Sequence, residues 1–419
     1  MPGASESFAV DMEKARELVN GRIDQLSDDL RHKVNKVLHD NPELAYKEFM
    51  AHDTLTAYLE KLGFNAKRST HGLETSFEAT LGEGGRQVVI CCEFDALPGI
   101  GHACGHNLIA TSSMAAFLGA AHAMSALKIP GRLRILGTPA EESGGGKAVL
   151  IENGAFNPPE DIAAAIMAHP LSEHSLHAKG SGYSGLAGLL FLVSHKFRVE
   201  FRGKTAHAAG EPWNGSNALD AAVAAYVNVA ILRQQIRPDE RIHSIIEEGG
   251  VASNVIPDYT RMNWSVRAPS ICRADRLLER VEKCIEAAAL ATGCTHEFIK
   301  SPTYMNLRAN ETLCKTYVED MAQIGEKVQL HQEKPYTAST DMGNVSHTVP
   351  SFHGVFSVPT APDVAIHSPQ FAAAAATDEG HAAAIKCSKG MAMLALRVLV
   401  DGTIADAARR DFEQPDTVE

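Results

Sequence analysis

The sequence lacks the features that would direct it to a membrane, to a secretory route or to a nucleic acid. No apolar run reaches the roughly 18 residues that a membrane span requires. The opening stretch MPGASESFAVDMEKARELV contains no apolar core of a signal peptide. The formal net charge is -12 and no basic stripe is present, which disfavours nucleic-acid and anionic-membrane partners. We therefore expect a cytoplasmic protein with neither kind of partner.

Cysteine is present, but not in the pattern of a disulfide framework. The eight cysteines are scattered, and Cys91 and Cys92 are adjacent. Adjacent residues in a strand point to opposite faces, so these two thiols cannot easily pair with each other. We interpret the cysteines as reduced thiols, as expected for a cytoplasmic protein.

What is present is an alternation of strand and helix patterns in a chain long enough for two domains. The 419 residues are 45% hydrophobic and 21% charged, as in an ordinary globular protein. Between about residues 191 and 302 the pattern becomes β-α-β-β-α-β, the order of a ferredoxin-like sandwich. We predict an α/β domain formed by residues 1–190 and 303–419, interrupted by an inserted α+β domain at residues 191–302.

The segment Val88–Asn107, VVICCEFDALPGIGHACGHN, contains the densest group of reactive side chains. Its first five residues are typical of a strand buried on both faces. Glu93 and Asp95 follow at the strand end, and after several glycines Cys104 and His106 precede an alanine-rich helix. Ligands of open α/β sheets bind at such strand-to-helix junctions. The glycines also approach the pattern of a dinucleotide-binding loop, although a thiol and an imidazole add nothing to a phosphate cradle.

Two further predicted strands end in potential ligands. Residues 132–136 lead into GTPAEESGGGK, which contains Glu141 and Glu142, and residues 162–168 lead into His169, which with the following proline is expected to end the strand. Adjacent glutamates are also typical of a solvated surface. Three successive strands end in residues of the types that bind metals, which favours a metal site with a carboxylate as general base. One glutamate would then bind the metal and the other would take a proton from water, in either order.

Together the motifs resemble the M20 metallopeptidase family, within its amidohydrolase branch and most of all its aminoacylase-1-like dipeptidases. The matching stretches extend from about residue 40 to residue 400: EFDALPGIGHACGHN, TPAEESGGGK, MAHP, FRGKTAHAAGEPWNGSNALDA, SNVIPD, STDMGNVSH and IHSPQF. The resemblance implies a zinc-exopeptidase-like catalytic domain with a mixed central sheet. It also implies that the inserted domain is a lid through which a homodimer forms.

The resemblance implies a ligand set for a divalent metal. That set consists of Cys104, His106, Glu142, His169 and His367. A thiolate favours zinc, and imidazole with carboxylate also suits manganese, with cobalt or nickel as alternatives. We expect one or two ions per chain.

The resemblance implies other roles as well. Glu141 would be the general base, and Asp95 would orient a ligand. His207 would be a lid histidine that reaches a neighbouring subunit's site and polarises the scissile carbonyl, unless it is only a surface-loop histidine. Asn254 and Arg267 would hold the substrate carbonyl and carboxylate, although Arg267 could instead pair on a sheet face.

Three positions have no clear role by this comparison. Asn107 stands where the branch usually has Asp, and Glu93 occupies a place where two-metal relatives carry a histidine ligand. Both leave the number of metals open. Asp341 lies in a family-like stretch, STDMGNVSH, without an assigned function.

We expect a metal-dependent hydrolase that cleaves the amide C–N bond of an N-acyl amino acid or small dipeptide, with Glu141 as general base. Hydrolytic deamination or aryl-amide cleavage of a small aromatic acid is an alternative with the same chemistry. Alternatives from other classes are a nucleotide-dependent oxidoreductase that uses the loop Gly99–Gly105 and a non-catalytic binding protein. The full set of ligand candidates disfavours a non-catalytic protein.

Overall fold

The computed structural model describes residues 9–176, 182–332 and 336–415, and these residues form two compact units. The described part of the first unit comes from residues 9–190, 307–336 and 340–415. The described part of the second unit comprises Phe191–Asn306 and Thr337–Ser339. The inserted segment was predicted at residues 191–302.

Helices and strands alternate along most of the described chain. The α-helices are α1 (Met12–Leu30), α2 (Lys36–Asp40), α3 (Phe49–Lys61), α4 (His106–Leu127), α5 (Gly146–Glu152), α6 (Glu173–Leu176), α7 (Ala218–Leu232), α8 (Ile271–Thr292), α9 (Glu311–Ala322), α10 (Met342–Ser346), α11 (Pro369–Ala375), α12 (Asp378–Val400) and α13 (Gly402–Glu413). The strands are β1 (Lys67–Arg68), β2 (Phe77–Leu81), β3 (Gln87–Cys92), β4 (Arg132–Gly137), β5 (Ile162–Ser172), β6 (Gly185–Gly188), β7 (Val193–Arg202), β8 (Arg241–Glu248), β9 (Tyr259–Ala268), β10 (Thr295–Lys300), β11 (Val328–His331) and β12 (Ser351–Val358).

The first unit is built on an eight-stranded mixed sheet in the order β1-β2-β4-β3-β5-β12-β6-β11. Its centre, β4-β3-β5-β12, is parallel, whereas β1, β2 and β6 join through antiparallel pairs. Because parallel neighbours end at the same edge, the residues that follow β3 and β4 lie beside the end of β5. The predicted α/β class with a mixed central sheet is confirmed.

The prediction that His169 and Pro170 end their strand was wrong. β5 continues to Ser172 because β12 pairs with it in parallel register up to that residue, with His169 opposite Val355. A neighbouring strand therefore keeps the chain extended beyond the point at which the local sequence predicts an end. His169 consequently projects from a paired strand and not from a loop.

Helix α4 is the main buried helix of the first unit. Among the described residues it is the one helix that is long and apolar enough, by length and composition, to cross a membrane, and 89% of its most apolar window is buried inside the structure. It packs against α1, α12 and β5. Its apolar character is therefore accounted for by burial in the core.

The second unit is a four-stranded antiparallel sheet in the order β10-β7-β9-β8, with α7 and α8 packed on it. The alternating burial of β7 places Phe197, Val199 and Phe201 in a core that also contains Trp264. Helix α7 begins at the Asn217 cap, whose side chain accepts the N–H groups of the first turn. This β-α-β-β-α-β arrangement is the ferredoxin-like sandwich that the sequence predicts.

Candidate metal centre

The predicted ligands of the first unit meet at the carboxyl edge of the parallel strands. Asp95 follows β3, Glu142 follows β4, and His169 lies near the end of β5. His106 is the first residue of α4, and Cys104 lies two residues before it. Gly105, with φ of 80°, caps α4 in a left-handed conformation. A Cβ at that position would lie 2.6 Å from the Pro170 side chain, so glycine permits the close approach of the two elements.

Cys104 lies between two imidazoles. Its Sγ is 3.3 Å from Nε2 of His169 and 3.3 Å from Nε2 of His367. His367 Nε2 is in turn 3.5 Å from Oε1 of Glu142. The Nδ1 of His169 is 2.7 Å from the Pro170 carbonyl oxygen. Because that carbonyl requires a donor, Nδ1 carries the proton and the lone pair of Nε2 faces the thiol.

One ring nitrogen of His106 is hydrogen-bonded to Asp95, and the other has no hydrogen-bond partner among the described residues. Its Nδ1 donates to Oδ1 of Asp95 at 2.9 Å, and the other oxygen of Asp95 accepts the backbone N–H of Glu142 at 3.0 Å. The free ring nitrogen, Nε2, lies 3.5 Å from Oε2 of Glu93 and 3.8 Å from Oε1 of Glu142. Asp95 therefore fixes both an imidazole and the backbone of a neighbouring carboxylate, as expected for a residue that orients ligands.

The chemistry of this cluster fits a divalent cation. Oε2 of Glu93, Nε2 of His106 and Oε1 of Glu142 are buried without a hydrogen-bond partner, a costly arrangement unless a cation lies among them. Donor atoms on a tetrahedral zinc ion are about 3.3–3.6 Å apart, close to the spacings observed here. Three ligand groups have donor atoms within 4.8 Å of one another: Cys104–His106–His169, Cys104–Glu142–His367 and His106–Glu141–Glu142.

The two adjacent glutamates lie in opposite electrostatic environments. Burial, reinforced by the charges of Glu93 and Glu142, raises the pKa of Glu141 well above its ordinary value. Burial also acts to raise the pKa of Glu142, but the nearby His367 imidazole and the charge of His106 outweigh it and lower that pKa to about 2. Two carboxyl groups whose pKa values are driven apart are suited to different tasks. Geometry separates the two as well, because Glu142 belongs to two of the three ligand groups and Glu141 to one.

Lys147, which the sequence analysis did not single out, lies fully buried between two carboxylates. Its Nζ is 2.5 Å from Oε1 of Glu93 and 2.7 Å from Oδ1 of Asp341, and its backbone N–H donates to Oδ2 of Asp341 at 2.8 Å. All three side chains have no exposed surface. Glu93 and Asp341 therefore share Lys147 as a common ion-pair partner. Lys147 contacts Oε1 of Glu93, and the other oxygen, Oε2, faces His106. In the sequence, the feature that could have indicated this role is a lysine directly after the glycines that follow Glu141 and Glu142.

Two residues near the motif point away from the cluster. The Asn107 amide donates to the side chain of Asn35 and to the Ala375 carbonyl, so its departure from the family pattern affects helix packing. His102 stacks on His39 with ring centroids 6.4 Å apart. Neither side chain contributes a donor atom to the three ligand groups.

The other predicted site residues, His207, Asn254 and Arg267, belong to the second unit. Nδ1 of His207 accepts the backbone N–H groups of Ala209 and Gly210 at 3.2 and 3.0 Å, so Nε2 carries the ring proton of the neutral imidazole. The Asn254 carbonyl accepts the N–H of the residue after His207 at 3.0 Å, which places the two loops side by side. The Arg267 guanidinium donates to the Ser339 hydroxyl at 3.3 Å.

Comparisons with known proteins agree with this chemistry. A family model described as peptidase family M20/M25/M40 matches residues 89–387. The Xaa-Arg dipeptidase of Mus musculus is 38% identical over 430 residues, covering 98% of this chain and 95% of that protein. A p-aminobenzoyl-glutamate hydrolase chain of Escherichia coli (strain K12) is 25% identical, with 90% of each chain covered.

A solved structure supports the fold. The Bacillus subtilis YxeP protein, described as a dinuclear metal binding peptidase from the M20 family, gives a TM-score of 0.64 at 22% identity and covers 90% of this chain and 99% of that chain. The predicted family is thereby confirmed, and it leaves the nucleotide-dependent oxidoreductase alternative without support. The chain belongs to peptidase family M20/M25/M40 and is a metal-dependent hydrolase that acts on amide C–N bonds.

Proposed function

We propose that this hydrolase cleaves a small dipeptide or N-acyl amino acid, with Glu141 as general base beside a divalent metal. The observation that supports this best is the cluster of ligand donor atoms, in which Glu142 belongs to two of the three ligand groups and Glu141 to one. The metal would be held by Cys104, His106, Glu142, His169 and His367, and Glu93 offers one more oxygen through Oε2.

The protein's own residues have separable tasks in this reaction. A bound divalent metal supplies Lewis-acid chemistry, polarising the amide carbonyl and lowering the pKa of water. Glu141, 8% exposed, would take the proton from the attacking water and pass it to the leaving nitrogen. Asp95 would keep His106 in the tautomer whose Nε2 lone pair faces the metal. Burial of these carboxylates keeps their charges unscreened by bulk water.

The metal is proposed to be zinc or manganese, at one or two ions per chain. Treatment with a chelator is expected to abolish hydrolysis, and added zinc or manganese to restore it. Cys104→Ala should lower the metal content measured by elemental analysis because Sγ lies in two of the three ligand groups. Cys272→Ala, at an exposed thiol, is the matched control and should keep the full content. Equal metal content in both variants would contradict the assignment of Cys104.

The substrate class is best tested with matched amides. Because the mouse relative is an Xaa-Arg dipeptidase, we propose dipeptides with a C-terminal arginine as the first substrates. We expect their kcat/KM to exceed that of N-acetyl amino acids and of p-aminobenzoyl-glutamate. A higher kcat/KM for the aryl amide would favour the aryl-amide alternative instead.

The second unit is proposed to be a lid and dimerisation domain. Helix α7 has an apolar stripe made of Val223, Tyr226, Val227 and Ile231, each 46–68% exposed and spaced to lie on one helix face. It is accompanied on the same side of the sheet by Ile246 of the edge strand β8, which is 41% exposed and pairs with the core residue Met262. Apolar surface of this kind is typical of a protein–protein interface.

The dimer proposal predicts a change in oligomeric state. Val227→Glu combined with Ile231→Glu should convert a dimer into a monomer, because two charges would be buried in the interface. Sedimentation velocity measures the change. Ile299→Glu, at a 43% exposed position on the opposite edge strand β10, is the matched control and should remain a dimer. A wild-type monomer with full activity would refute the proposal.

His207 is proposed to donate its Nε2–H to the scissile carbonyl in the partner's site. Mixing Glu141→Gln chains with His207→Ala chains should then restore activity, because a mixed dimer contains one site with both residues intact. Random exchange would recover about a quarter of the wild-type sites. No recovery on mixing, with exchange of chains verified, would place His207 outside the partner's site.

The cytoplasmic location remains a proposal. All eight cysteines are free thiols, which supports a reducing compartment.

A further inference from the structure

Glu48 is a fully buried carboxylate outside the ligand cluster. It has no exposed surface, and its side chain is held by three hydrogen bonds. Oε1 accepts the backbone N–H groups of Tyr46 and Ala140, each at 2.9 Å. Oε2 accepts the Thr75 hydroxyl at 2.8 Å. This carboxylate oxygen therefore ties the turn at Tyr46 to Ala140, which lies 92 positions after Glu48 in the sequence.

The two residues that share Oε1 have an uncommon backbone conformation. Ala140 has φ of 61° and Tyr46 has φ of 63°, in the left-handed region of the backbone, which residues other than glycine rarely adopt. Neither sequence position contains the glycine that would adopt it freely. Such a conformation persists only where the surroundings hold it, and the shared oxygen of Glu48 is one such contact.

Ala140 immediately precedes Glu141, so its backbone angles decide where the Glu141 side chain begins. The Ala140 carbonyl accepts the N–H groups of Gly144 and Gly146 at 3.1 and 3.2 Å. The Tyr46 hydroxyl donates to the Gly144 carbonyl at 2.8 Å. The loop that carries both glutamates is therefore hydrogen-bonded through the Ala140 N–H before them and through the Gly144 carbonyl after them.

A helix-capping role does not account for Glu48. Although it directly precedes α3, its side chain makes no hydrogen bond to that helix. Two N–H groups in the first turn of α3, those of Met50 and Ala51, are accepted by the Glu43 carboxylate at 3.1 and 2.9 Å. The three bonds of the Glu48 side chain go instead to the turn at Tyr46, to Thr75 and to the glutamate loop.

We propose that Glu48 is a positioning residue for the general base: its Oε1 holds Ala140 in the left-handed conformation and so directs the Glu141 carboxylate. This inference rests on the proposed role of Glu141. Glu48 does not contact the substrate and does not bind the metal. Its effect passes through the backbone of Ala140.

The first test compares a variant that lacks the Glu48 carboxylate oxygens with one that keeps an acceptor oxygen at the same position. Glu48→Ala should lower kcat about 10- to 100-fold, because a displacement of about 1 Å at a catalytic group can have an effect of that size. KM and metal content should stay close to wild type. Glu48→Gln keeps an oxygen acceptor for both N–H groups and an amide that can donate to Thr75, so it should retain most of kcat.

The second test changes the residue through which Glu48 acts. Ala140→Gly in the Glu48→Ala background should recover most of the lost kcat, since glycine adopts φ of 61° without the steric penalty. If Glu48→Ala does not fold, Ala140→Val provides an independent measurement with Glu48 intact. A β-branched residue is strongly disfavoured in the left-handed region, so this variant should lose kcat and keep its metal.

Each outcome has a distinct meaning. Full kcat in folded Glu48→Ala, or in Ala140→Val, overturns the proposal. So does a loss of kcat in Glu48→Ala that follows a loss of metal or that Ala140→Gly does not reverse. The parallel measurement is Glu141→Gln. If that variant is active, the proposed function of Glu141 itself has failed; if it is inactive while Glu48→Ala is fully active, only the positioning role has failed.

Discussion

Glu141→Gln is expected to lower kcat by about 10²–10⁴-fold while the metal content stays unchanged, the range typical of losing a general base. Glutamine keeps the volume and one acceptor oxygen of Glu141 but cannot take a proton from water. The surroundings of Glu141 tolerate a neutral group, because burial and the nearby Glu93 and Glu142 carboxylates already disfavour its charge. Replacing that charge should therefore leave the fold intact.

The neighbouring glutamate supplies the matched control. Glu142→Gln also removes one charge, but from the carboxylate whose buried Oε1 lies 3.8 Å from His106 and 3.5 Å from His367. It should lose metal, and activity with it. Elemental analysis and kcat/KM measured on both variants separate a base from a ligand. If Glu141→Gln lost the metal and Glu142→Gln kept it, the two roles would be exchanged; full activity in Glu141→Gln would remove that residue from the mechanism.

The cluster of candidate ligands could be predicted from the sequence because its signals are local. An apolar run followed at once by Glu93 and Asp95, and a Cys-Gly-His triplet opening a helix, indicate a strand end and a ligand pair within about 20 residues. Once parallel strands are inferred, their carboxyl ends must share an edge. His169, near the end of a parallel strand, follows from that geometry, whereas His367 was implied only by the resemblance to the family; the structure brings both into the ligand groups.

The supporting contacts could not be predicted in the same way, because they join residues distant in sequence. Lys147 contacts Glu93 across 54 positions and Asp341 across 194. The left-handed φ of Ala140 has no glycine to signal it, and the acceptor that holds its N–H lies in another segment, at Glu48. The local sequence indicates which residues can bind a metal, whereas the folded chain determines which residues hold them in place.

Lys147→Met is expected to destabilise the protein by about 3–5 kcal/mol, the range observed when one partner of a buried ion pair is removed. Methionine fills similar space but leaves the Glu93 and Asp341 carboxylates buried without a positive charge between them. Those two carboxylates also outweigh the effect of burial, which acts to lower the pKa of Lys147, and raise it above its ordinary value. The lysine is therefore charged at neutral pH.

Denaturant unfolding of the chelated protein measures this loss, since bound metal would itself stabilise the native state by mass action. Lys61→Met is the control. Lys61 is 57% exposed and its Nζ lies 3.5 Å from Oδ2 of Asp29. Because an exposed ion pair contributes little to stability, its removal should change the free energy of unfolding by less than about 1 kcal/mol. Glu93→Gln should relieve part of the defect in the Lys147→Met background, because one of the two uncompensated charges is then absent. If Lys147→Met were as stable as the wild type, the contacts of Lys147 with Glu93 and Asp341 would contribute nothing to the free energy of unfolding.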